Sequence, residues 1–135
     1  MKTEFENELL ETERLKNNSH LFAIEYENLK EYYTFLENEK IYDFLKLNPG
    51  LIVILNKFKP CLNSYFPNGE YELEIDEDPE FDCTTLVIKI RVSHEQFKNG
   101  MIKKIDKINF RFVPLMQKMK LMSEILLIPD LKEYN

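Results

Sequence analysis

The chain has 135 residues, 44% of them hydrophobic and 13% aromatic, with a formal net charge of −6. This length and composition fit one globular domain with its own core and exclude a disordered chain. Three glycines leave no material for a Gly-rich phosphate cradle, and the longest aliphatic run, Leu51–Leu55, is far short of the roughly 20 residues a membrane-crossing helix needs.

The first residues, MKTEFENELLETERLK, are polar and acidic where a signal peptide is apolar, so a cytoplasmic protein with no membrane segment is expected. Residues 3–16 predict a short polar helix with Phe5, Leu9 and Leu10 as a thin apolar stripe, ended by Asn17-Asn18-Ser19. A second helix is predicted over 20–37 from the helical spacing of Tyr26, Leu29, Tyr32, Tyr33 and Leu36, although Phe22–Tyr26 also alternates as a strand does. Together residues 1–37 form a helical N-terminal extension, and residues 38–135 a compact α+β unit, within a single domain.

A helix at 39–47 turns Ile41, Phe44 and Leu45 inward. Asn48-Pro49 then marks a fresh start, with Asn as N-cap and Pro at the first helical position. The helix toward Tyr65 carries a wide apolar face of Leu51, Ile52, Ile54, Leu55, Phe58 and Leu62. Pro60 inside it removes a backbone donor and predicts a kink or a break near Asn56–Pro60.

Pro67-Asn68-Gly69 ends this unit, and two alternating strands follow. Tyr71, Leu73 and Ile75 alternate with acids; Leu86, Ile88, Ile90 and Val92 alternate with Val87, Lys89 and Arg91. Period-two alternation gives each strand one buried and one charged face. Placing the charges together favours a hairpin with Glu74 opposite Lys89 and Glu72 opposite Arg91, so that the eight acids of residues 70–82 are partly neutralised within the sheet.

Ser93 and Gln96 form a capping box opening a helix with Phe97, Met101, Ile105 and Ile108 on its apolar stripe, Lys98, Lys103, Lys104 and Lys107 outside it, and Gly100 in its middle. Residues 109–122 read either way: Phe110, Phe112 and Val113 alternate, and Pro114 interrupts. Ser123–Ile128 is a strand that Pro129 and Asp130 stop. The fold class is therefore α+β, with N-terminal helices, a β-hairpin, a helix and a final strand, the helices packed on one face of a small antiparallel sheet.

No constellation points to catalysis. Asp76, Asp78, Glu80 and Asp82 recur at every second residue, but Phe81 and Val87 stand where a calcium loop needs Gly and Glu. A two-metal nuclease pattern would need an acid before Lys89, and Val87-Ile88 has none. His20 and His94 have no nucleophile placed to use them. Cys61 and Cys83 are too few for a disulfide framework or zinc site and read as small buried thiols. No catalytic residue, metal site or cofactor is assigned. Residues 89–120 hold nine basic and two acidic side chains with Phe97, Phe110 and Phe112 among them, the pattern of a groove for RNA or single-stranded DNA, although the acidic chain as a whole repels phosphate.

From Ile41 onward, YDFLKLNPGLIVIL, the YELEIDEDPEF strand with its Asp78-Pro79-Glu80 loop, TTLVIKIRV, SHEQFKNGMIKKIDKINF and a closing strand follow one another in an order that resembles a family of small uncharacterised prokaryotic α+β proteins widespread in cyanobacteria. Members usually carry tryptophans after the last helix, where this chain has Asn109-Phe110-Arg111-Phe112 and no Trp at all. The resemblance implies no activity; it fits a small acidic member of a two-gene pair, antitoxin-like in kind.

The expected function is thus non-enzymatic, through contact with a protein partner or a second copy, since Tyr is favoured at interfaces. The candidate interaction surface comprises Tyr26, Tyr32, Tyr33, Asp78, Glu80, Lys103, Lys104 and Lys107. The alternative is nucleic-acid binding through residues 89–120.

Overall fold

The computed structural model describes residues 3–132. Helix α1, Glu4–Asn17, starts where Thr3 Oγ1 accepts from Glu6 N–H, with acids in its first turn and Arg14 and Lys16 in its last, as the helix dipole favours. Asn18 caps α2, Ser19–Tyr32, in the same way, its Oδ1 accepting from Leu21 N–H at 3.0 Å. Helical spacing decides the ambiguous Phe22–Tyr26 stretch: Phe22, Tyr26 and Leu29 share the buried side of α2. The helix ends five residues earlier than expected. Tyr33 turns extended, and Thr34–Phe35 form strand β1.

Helix α3, Asn38–Leu47, buries Ile41 and Leu45. Asn48 closes this helix and is not the N-cap of the next: its Nδ2 donates to Phe44 O at 3.0 Å. Helix α4, Gly50–Tyr65, starts without a side-chain cap, and Pro60 does not divide it. Leu51, Ile52, Ile54, Leu55, Phe58 and Leu62 are fully buried there, making α4 the central core helix.

Strands β2, Glu70–Asp78, and β3, Cys83–Val92, form the expected hairpin, but two residues out of the expected register. Glu72 lies opposite Lys89, Glu70 opposite Arg91, and Leu73 opposite Ile88. The parity holds, so Tyr71, Leu73, Ile75, Leu86, Ile88 and Ile90 all face the core. The named charges still meet, on the diagonal: Lys89 Nζ is 3.2 Å from Glu74 and Arg91 Nη1 is 3.3 Å from Glu72. Long side chains reach diagonal neighbours, so the charges fix which face they share without fixing the register.

Ser93 accepts from Gln96 N–H as expected, but it opens only the short α5, His94–Lys98. Gly100, at φ +73°, separates it from α6, Met101–Lys118; Gly is the residue that adopts this left-handed conformation without a Cβ penalty. Residues 109–118 are helical, Pro114 included. Strand β4, Ile125–Leu131, runs through Pro129 and Asp130, which were expected to stop it.

The architecture is α+β, with a four-stranded sheet in the order β1-β2-β3-β4. Only the central pair is antiparallel. β1 runs parallel to β2 and β4 parallel to β3, because helices α3–α4 and α5–α6 carry the chain across the sheet between each pair. The sheet is mixed where an antiparallel one was expected. One apolar cluster fills the space between sheet and helices, and Leu15, Phe22, Tyr26, Leu29 and Tyr33 belong to it. Residues 3–37 thus contribute to the common core and to the sheet.

Candidate interaction surfaces

The expected interaction residues separate into three groups. The tyrosines are the first. Tyr33, 1% exposed, donates its hydroxyl to Leu55 O at 2.6 Å, and Tyr26 is buried and donates to Asn38 O. Tyr32 is half-buried, donates to Lys59 O and Asn63 Oδ1, and stacks on Tyr71 at 5.1 Å. Tyr71 in turn donates to Leu62 O and Phe66 O. Tyr32, Tyr33 and Tyr71 therefore pin α2 and β2 to carbonyls along α4. Burial pushes the Tyr32 and Tyr33 phenols well above their usual range and raises Tyr71, whose shift a hydrogen bond with Tyr32 opposes. Tyr26 and Tyr33 are core residues and not a surface for a partner. Tyr spacing looked like an interface because a phenol serves either role: an apolar ring with one polar tip that needs a partner when buried.

The acidic hairpin tip is the second group. Asp78 Oδ1 accepts from Glu80 N–H at 3.1 Å, an Asx-turn, and Asp82 sits at φ +49° before Cys83. Phe81 is exposed in this tip, and so is Cys83, which was expected to be buried; Cys61 is buried. Among the described residues no group of three or more His, Cys, Asp or Glu is placed to hold a metal ion. Behind the tip, Glu70, Glu72 and Glu74 pair within the sheet, and Glu77 pairs with Lys40 of α3. Arg91 lies 3.3 Å from Glu72, 3.8 Å from Glu70 and, through Nε, 3.2 Å from Asp130, the last as a charge contact without an aligned hydrogen bond.

The basic helix is the third group and differs from both. Lys103 and Lys107 are exposed and Lys104 is half-buried. Among the described residues no carboxylate forms an ion pair with Lys103, Lys104, Lys107, Arg111, Lys118 or Lys120. Two contacts show which way this stripe turns. Arg111 Nη1 donates to Cys61 Sγ at 3.7 Å, and the Lys104 ammonium stands 6.0 Å from the centre of the Phe66 ring, so the basic flank borders α4. At 3.6 residues per turn, Ile102, Asn109 and Val113 fall on the opposite flank. Phe110, 85% exposed, stands between the two flanks.

The aromatics of this segment exchange the roles expected of them. Phe97 was assigned to the apolar stripe and is 39% exposed, because the turn at Gly100 offsets α5 from α6. Phe112 is buried against Phe58 with ring centres 5.0 Å apart. The exposed Phe110 was visible in the sequence only as one of three phenylalanines; its position became readable once residues 109–118 were known to be helical.

No helix among the described residues is long and apolar enough to cross a membrane. Comparison of the chain with protein-family models, curated proteins and solved structures finds no match in any of the three.

Proposed function

We infer that this is a non-enzymatic cytosolic protein that works by contact with a protein partner, and that the contact runs along α6. One observation carries the reading: Phe110 stands almost fully exposed beside Lys107 and Arg111, neither of which forms an ion pair among the described residues. An aromatic anchor beside Arg is the composition of an interface centre. Unpaired cations around it favour an acidic partner surface and speed its encounter. A partner encoded beside this protein, as the antitoxin-like resemblance implies, is the first to try.

The test is capture from the cell's own extract by tagged protein, beside a Lys103→Glu, Lys107→Glu, Arg111→Glu variant. The expected result is one stoichiometric protein held by the native chain and lost by the variant. Equal capture by both overturns the reading.

The same observation supports a second reading, single-stranded RNA or DNA stacked on Phe110. It predicts a mobility shift at low salt that Phe110→Ala weakens; no shift at low salt ends it.

A further inference from the structure

Strand β4 is a sheet edge with unused backbone groups. Its bonds to β3 are made by even-numbered residues: Glu124 O accepts from Leu86 N–H at 2.8 Å, and Lys132 N–H donates to Val92 O at 2.9 Å. Backbone groups alternate sides along a strand, so Ile125, Leu127, Pro129 and Leu131 turn theirs to the free side. Among the described residues nothing meets the outward groups of Ile125 or Leu127. Natural edges are guarded by charges, bulges or shortness. This one is seven residues long, and ILLIP at its start carries no charge; its guards, Pro129 and Asp130, come only after it, and Pro129 sits where a missing N–H costs the sheet nothing.

We propose that β4 pairs antiparallel with β4 of a second copy, with the two-fold axis at Leu126, joining two four-stranded sheets into one. In this register Ile125 lies opposite Leu127 of the mate, and each such pair exchanges N–H···O=C bonds in both directions. Leu126, 50% exposed on the outer face, packs against its own counterpart. Neighbouring registers are worse. An axis at Leu127 sets Glu124 against Asp130 and Pro129 against Ile125. An axis at Ile128 leaves the Leu127 carbonyl facing Pro129, which has no N–H to give.

The occupant is a second copy because the segment is complementary to itself. No like charges meet along ILLIP, and the two-fold sets the outward N–H and C=O of Ile125 against those of Leu127 in the mate, and the reverse. The basic stripe of α6 faces α4, while Ile102, 57% exposed, and Val113, half-buried, lie on the flank away from it. The inference stands apart from the α6 partner reading, which uses the other flank.

The experiment combines sedimentation equilibrium with disulfide mapping in a Cys83→Ser background, which removes the exposed native thiol. The native chain is expected to be dimeric and Leu126→Lys monomeric with unchanged circular dichroism. Leu126→Cys should link to itself on mild oxidation, since directly opposed non-hydrogen-bonded residues lie about 4.5 Å apart at Cα, within disulfide reach. Glu124→Cys and Ile128→Cys should link only when mixed. A native chain that stays monomeric at its highest soluble concentration overturns the proposal. So does a dimer that survives Leu126→Lys and forms no disulfide in the Leu126→Cys variant, or a monomer that instead takes up an unrelated extended peptide along β4.

Discussion

The two edges of the sheet are built in opposite ways. At one edge, β1 is two residues long, and α2 leads straight into it through Tyr33, whose hydroxyl is tied to Leu55 O. The next backbone group, Leu36 N–H, goes to Leu73 O. At the other edge, β4 is seven residues long, and its outward peptide groups meet nothing among the described residues. One side spends its aromatics on internal bonds; the other keeps Leu126 at the surface. The difference teaches where stability and where recognition reside: the first edge is part of the core, the second is available.

The sharpest way to break the comparison is truncation on each side. Tyr33→Ala should cost roughly 3–5 kcal/mol in urea unfolding, as deletion of a fully buried aromatic does. Leu126→Lys should change the stability of the monomer by no more than about 0.5 kcal/mol, as an exposed site does. Equal effects at the two sites would erase the distinction.

Alkali probes the same asymmetry. Tyr32, Tyr33 and Tyr71 have raised phenol values in the folded protein, so above the ordinary value near 10 the unfolded chain binds fewer protons than the folded one. Stability is then full below pH 10 and falls as pH rises beyond it. Tyrosinate absorbance should show these phenols ionising only as the protein unfolds. Free titration of all seven tyrosines before unfolding would contradict their role.

A loss smaller than that of Tyr33→Ala is expected at the α5–α6 junction. Gly100→Ala should destabilise by about 1–2 kcal/mol from left-handed strain alone, since a Cβ there would meet no atom within 4 Å. A neutral result in thermal unfolding would mean that the turn relaxes.

Much of this was legible in the chain. Alternation in 70–92 fixed which side chains enter the core, and the apolar face of α4 marked the central helix. The register was not legible: four residues, Pro79–Asp82, connect the strands, and Glu72 and Glu74 offer Lys89 two equivalent alignments. Pro129 read as a stop because sequence does not reveal which strand is an edge, the one place where proline fits. Lys103, Lys104 and Lys107 were legible as a basic face. That they form no ion pair among the described residues is read only from a fold that sends Glu70, Glu72 and Glu74 to Lys89 and Arg91.

The parallel pairing of both outer strands has a consequence for how the molecule assembles. The hairpin brings together residues separated by four positions at its tip, whereas β3 and β4 pair Leu86 with Ile125 across two intervening helices. Closing the longer span costs more chain entropy, so the central ribbon is expected to form before β4 docks, an order that φ-values at Ile88 and Leu127 would check. The strand that carries the unused peptide groups is then among the last to settle.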